Sequence, residues 1–166
     1  MLLDRDGVLI PEEGYAYTPE RISLLPGVIE GLRAVKDEFV FFVVSNQSGT
    51  ARGFTTATEL EACNARLTEL LAQQGITLTD IVYCPHLPED ECVCRKPATG
   101  MWEMLRIRHA LMADAHVMVG NRACDMVFGR NIGAKVLLVT GTEHVEDVDG
   151  KMLSLRELPA LLRDAS

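Results

Sequence analysis

Nothing in this 166-residue chain suits a membrane: no apolar run approaches the roughly 20 residues of a spanning helix, and no basic and apolar leader stands before Asp4. A soluble, cytoplasmic protein is the expectation. An excess of positive charge is missing too, since 24 acidic residues against 16 Lys and Arg give a net charge of -8. Such a body offers no favourable long-range field to nucleic acid or to an anionic membrane, so neither is expected as a partner. Internal repeats, low-complexity tracts and linkers are absent. The length supports one buried core and is too short for a large second domain, so residues 1–166 read as a single domain, expected to be a monomer.

What is present starts with Asp4-Arg5-Asp6-Gly7 behind Met1-Leu2-Leu3. A carboxylate ending a short apolar strand, with a second carboxylate two residues on, suits phosphoryl transfer. Asp4 can attack phosphorus and hold a metal, while Asp6 can protonate the leaving oxygen and later activate water. Alone the motif is weak, because Asp-x-Asp-Gly also occurs in calcium loops and ordinary turns. Three later segments strengthen it. Ser45-Asn46-Gln47 follows the unbroken apolar run Phe39 to Val44, the pattern of a parallel strand buried on both faces, and a hydroxyl at the end of such a strand can donate to phosphate. Arg95-Lys96-Pro97 supplies two cations, of which a lysine gives the point charge a transferring phosphoryl group needs. Val117-Met118-Val119-Gly120 reads as a further buried strand delivering Asn121-Arg122-Ala123-Cys124-Asp125. Because Arg5, Arg52, Arg95, Lys96 and Arg122 all fall in or beside these segments, one positive cleft on a negative body is expected, suited to a small phosphorylated anion.

Buried strands are expected at 2–3, 39–45, 81–84, 116–120 and 135–139, with helical patterns between them. Thr56 and Glu59 make a capping box, after which Leu60, Cys63, Leu67 and Leu70 recur at helical spacing until Gly75. Met101, Met104, Leu105 and Leu111 form a second stripe, and 155–162 a third despite Pro159. These stripes read as core packing, as do Trp102, Phe54, Cys63 and Cys124, while 145–149 reads as a solvated acidic loop. Alternating strands and helices imply an α/β fold with a doubly wound parallel sheet and ligands at the carboxyl ends of its strands. Every segment singled out above stands at such an end.

Cys84-Pro85-His86 and Cys92-Val93-Cys94 place four soft ligands as two pairs, each with one intervening residue. In extended chain, residues i and i+2 point to one side, so each pair can grip one metal ion. Three thiolates and an imidazole complete a tetrahedral zinc shell with no open position, which makes a structural site. The alternatives are four ordinary loop residues or a disulfide from Cys84 to Cys92 or Cys94, which an odd total of five cysteines and the absence of a secretory leader disfavour. The loop runs directly into Arg95 and Lys96, so zinc would hold the lysine in place.

The order of aspartate pair, hydroxyl, lysine and acidic loop resembles the haloacid dehalogenase superfamily over nearly the whole chain. The linkage of Cys-Pro-His, Cys-x-Cys and Arg-Lys-Pro resembles its branch of heptose bisphosphate and histidinol-phosphate phosphatases, which implies a Rossmann-like core with a zinc loop and no large cap domain. The stretch Cys84 to Pro97 looks closest to the histidinol-phosphate enzymes. Glu12-Glu13-Gly14-Tyr15 and Asn46 to Gly53, including Gln47, Ser48 and Arg52, look like the heptose enzymes and would face the substrate, so a sugar bisphosphate is favoured. By resemblance Asp4 is the nucleophile and Asp6 the acid/base. Magnesium would be held by the Asp4 carboxylate, the Asp6 carbonyl and a carboxylate of the acidic loop. Ser45 and Lys96 would stabilise the phosphoryl group, and Arg95, Arg122, Asn46, Ser48 and the segment Glu12 to Tyr15 would contact the sugar phosphate.

One position departs from the family. Where Gly-Asp is the rule this chain has Gly120-Asn121, an amide in place of a carboxylate opposite magnesium. A unit charge pair at about 4 Å is worth about 4 kcal/mol at an effective dielectric near 20, so magnesium affinity should fall unless Asp125, four residues on, compensates. The expected function is a magnesium-dependent sugar-bisphosphate phosphatase working through an aspartyl-phosphate. Its alternatives are a histidinol-phosphate phosphatase and, from another class, a sugar-phosphate binding protein weakened in catalysis by Asn121.

Overall fold

The apolar run after residue 39 forms strand β2 over Phe41–Asn46, buried from Phe41 to Ser45 as a strand covered on both faces must be. In the computed structural model, which describes residues 1–14, 18–112, 116–141, 143 and 145–163, this strand is flanked by β1 (Leu2–Leu3) and β3 (Leu78–Cys84). Beyond β1 lie β4 (Val117–Gly120), β5 (Lys135–Val139) and β6 (Gly150–Met152). The sheet has the order β3-β2-β1-β4-β5-β6, and every pairing is parallel.

Side chains alternate between two cores, as the two-residue period of a strand requires. Leu3, Phe41, Val43, Val119 and Leu137 pack on one face with helices α1 (Val28–Val35), α2 (Ala57–Ala72) and α5 (Leu158–Arg163). Leu2, Phe42, Val44, Met118 and Leu138 pack on the other with α3 (Gly100–Arg108) and α4 (Ala123–Asn131). This is the doubly wound parallel sheet expected. The capping box of α2 is formed as read: Thr56 Oγ1 accepts from the Glu59 amide at 3.2 Å, and the Glu59 carboxylate accepts from the Thr56 amide at 2.8 Å.

Differences from expectation have local causes. β3 starts three residues before the apolar cue because it is an edge strand, and its first residues alternate buried Leu78 with exposed Thr79. β6 has no apolar run at all; it is a three-residue edge strand with Lys151 exposed. Met104 and Phe54 are not packed: they are 44% and 61% exposed, because Met101, Trp102 and Leu105 already fill the inward face of α3 and Phe54 lies on the loop after β2. The 145–149 loop is more than solvated surface. Asp149 accepts from the Val136 amide at 2.7 Å and pairs with Arg130, while Val145 and Val148 pack on the core. Among the described residues no helix is long and apolar enough to cross a membrane.

Candidate active site

Asp4 leaves the end of β1, its amide donating to Val119 O at 2.9 Å, and so stands at the middle of the sheet's carboxyl edge. The chain then turns sharply at Gly7, which has φ 77 and whose missing Cβ makes room for the Asn121 amide. Lys96 reaches the same point from the loop after β3. Its Nζ lies 2.9 Å from Asp4 Oδ1 and 2.7 Å from Asp125 Oδ1 and donates to Val44 O at 2.7 Å, so its three protons have three acceptors. The other oxygen of Asp125 accepts from the amides of Asn121 and Arg122, which fixes the carboxylate at the start of α4. Gly120 allows this approach, since a Cβ there would collide with Asp125.

Burial pushes Asp125 up to about 6, with the charge of Asp4 adding to the rise and Lys96 opposing it. Burial alone would lower Lys96, but Asp125 and Asp4 outweigh it and hold the ammonium protonated. Two buried carboxylates therefore share one ammonium. That uncompensated negative charge, presented by oxygen donors at a cleft, fits a hard divalent cation.

Asp6 faces the cleft beside them. Gln47 Nε2 donates to Asp6 Oδ2 at 2.5 Å and to Ser45 Oγ at 2.8 Å, joining two of the expected catalytic groups. Gln47 was expected to face substrate; it lines the cleft and also orders its chemistry. The cleft, about 230 Å³, is lined by Asp4, Asp6, Ser45, Lys96 and Asp125, by Glu12, Gly14, Asn46, Gln47, Ser48, Arg95 and Arg122, and by Cys124.

Other expected groups lie elsewhere. Arg5 is turned into the protein against Asp6 and Asn64, and Arg52 is exposed outside the lining, so the cations of the lining are Lys96, Arg95 and Arg122, set against the carboxylates of Asp4, Asp6, Glu12 and Asp125, and the cleft is not the positive one expected. Glu13 also stands outside the lining and pairs with Arg21 at 2.7 Å. Asn121 is buried against Gly7 and is not a lining residue, while Tyr15 falls outside the described residues. Cys124 lines the cleft instead of packing in the core, its thiol pushed up to about 11 by burial and by Asp125. Sequence reasoning missed the ion pair between Glu12 and Arg122, which joins the loop after Gly7 to the start of α4 across the cleft. No sequence spacing encodes a contact 110 residues apart.

The cysteine loop converges as its spacing suggested. The ligand atoms of Cys84, His86, Cys92 and Cys94 lie within 4.8 Å of one another, with Cys84 Sγ 3.5 Å from both His86 Nδ1 and Cys92 Sγ and 3.2 Å from Cys94 Sγ. All five cysteines are free thiols. Burial raises Cys92, but the Arg95 amide and the neighbouring thiols outweigh it and bring Cys92 down to about 6. A Cys₃His set at these separations fits one tetrahedral metal ion. Hydrogen bonds tie the loop to the cleft, among them one from the Gln47 amide to Cys84 O at 2.7 Å. Arg95 Nη1 donates to His86 O at 3.1 Å, and the Asn46 side chain both accepts from the Lys96 amide at 3.0 Å and donates to its carbonyl at 3.1 Å.

Known proteins resemble this chain in sequence and fold. A family model described as HAD-hydrolase-like matches residues 93–164. The D-glycero-β-D-manno-heptose-1,7-bisphosphate 7-phosphatase of Escherichia coli (strain K12) is 36% identical over 179 residues, covering 98% of this chain and 93% of the relative. A histidine biosynthesis bifunctional protein of Legionella pneumophila (strain Lens) is 33% identical over 93% of this chain, which spans only 45% of that relative. Among solved structures, the D,D-heptose 1,7-bisphosphate phosphatase of B. bronchiseptica, complexed with magnesium and phosphate, superposes with a TM-score of 0.87. It is 28% identical, covering 99% of this chain and 98% of the other.

Proposed function

We propose that this chain, which belongs to the haloacid dehalogenase-like hydrolases and among them to the family of the heptose-1,7-bisphosphate 7-phosphatases, removes the 7-phosphate of D-glycero-D-manno-heptose 1,7-bisphosphate. The enzyme is a phosphoric monoester hydrolase. One observation carries the reading: a single buried ammonium, Lys96, joins the Asp4 and Asp125 carboxylates at the cleft that Asp6 and Ser45 also line.

In this reading the Asp4 carboxylate attacks phosphorus while the bond from phosphorus to the sugar oxygen breaks. The Asp6 carboxyl gives its proton to the departing oxygen, leaving an aspartyl-phosphate, a free sugar hydroxyl and an Asp6 carboxylate. That carboxylate then takes a proton from water, whose oxygen displaces the Asp4 carboxylate from phosphorus and releases phosphate. The Ser45 hydroxyl holds a phosphoryl oxygen in both steps, and the charge of Lys96, fixed beside Asp4, offsets the negative charge on the transferring group. Arg95 and Arg122 remain for the second phosphate, and Glu12 and Ser48 for sugar hydroxyls.

Magnesium would be held by Asp4, the Asp6 carbonyl and Asp125, with Asn121 the neutral residue beside them. When bound, it neutralises charge on the transferring phosphoryl oxygens. Zinc would fill the Cys84, His86, Cys92 and Cys94 shell and take no part in the chemistry.

Phosphate release from heptose 1,7-bisphosphate, fructose 1,6-bisphosphate and histidinol phosphate, with and without magnesium, tests the assignment. The heptose ester should be preferred in kcat/KM by about tenfold or more, and only with magnesium present. Preference for histidinol phosphate would reassign the substrate. Tight binding of heptose bisphosphate without turnover would replace the enzyme reading by the binding-protein one.

A further inference from the structure

The residue between the two aspartates is a full cation only 1% exposed to solvent. A buried guanidinium is costly unless it is well paired, so its partners define what it is for. Arg5 lies side-on to Asp6, its Nε and Nη2 each 3.2–3.3 Å from both carboxylate oxygens. Its remaining nitrogen, Nη1, donates to Asn64 Oδ1 at 2.9 Å. Asn64 is itself buried on the inward face of α2, one residue after Cys63 and three before Leu67, both fully in the core, on a helix whose start is fixed by the Thr56 and Glu59 box. Gln47 Nε2 also holds Asp6 Oδ2.

We propose that Arg5 and Asn64 are positioning residues that aim Asp6. The line from α2 through Asn64 and Arg5 to the Asp6 carboxylate sets one orientation of the acid, and Gln47 adds a further bond to Oδ2. This rests on the phosphatase reading, in which Asp6 must pass its proton to the sugar oxygen as that oxygen leaves phosphorus and must take a proton from water in the second step. Misplacing a reacting group by about 1 Å can cost up to a hundredfold. A sugar alkoxide is a poor leaving group and needs the proton. A p-nitrophenolate is not, so formation of the phosphoenzyme from p-nitrophenyl phosphate bypasses the first use of Asp6.

The test is Asn64→Ala, which removes the Asn64 Oδ1 acceptor of Arg5 Nη1 and lies outside the cleft lining, compared on these two esters with magnesium present. For heptose 1,7-bisphosphate kcat/KM should fall about tenfold, whereas the first-turnover burst of p-nitrophenolate should keep its rate within about twofold. Asn64→Asp, which keeps an acceptor oxygen, should restore the ratio of the two. Equal loss on both esters would mean general damage to the fold and would overturn the proposal, as would no loss on either. If the parent protein releases phosphate from neither ester, the phosphatase reading itself fails. An active parent whose ratio is unmoved by Asn64→Ala removes only the positioning role.

Discussion

Cys94 and Lys96 are two residues apart, yet the regions they anchor treat charge in opposite ways. Around Lys96, two buried carboxylates share one ammonium and face a cleft. Around Cys94, three sulfurs and an imidazole nitrogen face one another and form a shell that a single ion can close. The first arrangement keeps a concentration of negative charge that a compact protein would sooner neutralise, and keeps it where a phosphate and a cation can use it. The second has no room for a substrate and spends its ligands on fixing a loop. Under the proposed function the pair divides the labour: the charged half supplies chemistry, and a metal ion closing the other half would supply the rigidity that keeps Lys96 in register.

The sharpest break of that division is Asp4→Asn. Removing the nucleophile should lower phosphate release by about a thousandfold or more. The same change leaves one ammonium paired with one carboxylate, so without magnesium the melting temperature should equal or exceed the parent's. Steady-state assay and a thermal melt on the same sample decide it. A clear loss of stability would mean that the carboxylate cluster is part of the scaffold, and the contrast between the two regions would collapse.

Cys92→Ser should do the reverse. Structural zinc is worth roughly 10–16 kcal/mol in small domains, and about 1 kcal/mol shifts the melting temperature of a chain of this size by about 2–4 °C. Even a partial loss should lower it by roughly 10 °C, together with the loss of about one zinc per chain. Activity should drop less than for Asp4→Asn, because every group at the phosphate is retained. Metal analysis after dialysis, with melts before and after, is the measurement; unchanged metal content and melting temperature would remove the structural role.

The sequence made both regions legible to different depths. Cysteine and histidine at i and i+2 carry their geometry locally, so the ligand set could be read from spacing alone. The parallel strands could be read as well, because Phe39 to Val44 and Val117 to Val119 are apolar without interruption. Direction could not. Arg5 and Arg122 both looked like cleft cations, but Arg5 points inward because Asn64 of α2 waits there, and Arg122 meets Glu12 from the other side of the cleft. Likewise Asn46 looked like a substrate contact, and its clamp on the Lys96 backbone appears only once β2 and the loop after β3 are side by side. Single cations and amides declare their chemistry in a sequence; their partners are set by tertiary contacts tens of residues away.

That clamp provides the finest test, because Asn46 belongs to both regions at once. It lines the cleft, and it also holds the peptide of Lys96 by an accepted and a donated hydrogen bond. Two neutral hydrogen bonds contribute about 1 kcal/mol each, so Asn46→Ala should lower stability by about 2 kcal/mol and leave zinc content unchanged. Its kinetic effect separates its two possible uses. If the side chain acts by holding Lys96, transition-state stabilisation weakens and kcat should fall about fivefold with KM nearly constant. If it binds sugar, KM should rise with kcat nearly constant. The geometry favours the first outcome, since both polar atoms of the amide are already engaged with Lys96. Asn46→Asp retains the acceptor for the Lys96 amide but loses the donor to its carbonyl, so it should fall between parent and Asn46→Ala in kcat. A rise in KM alone would show that the Asn46 amide is not needed to keep the lysine in place, and that the lysine's own bond to Val44 O and the tie from Arg95 to His86 suffice.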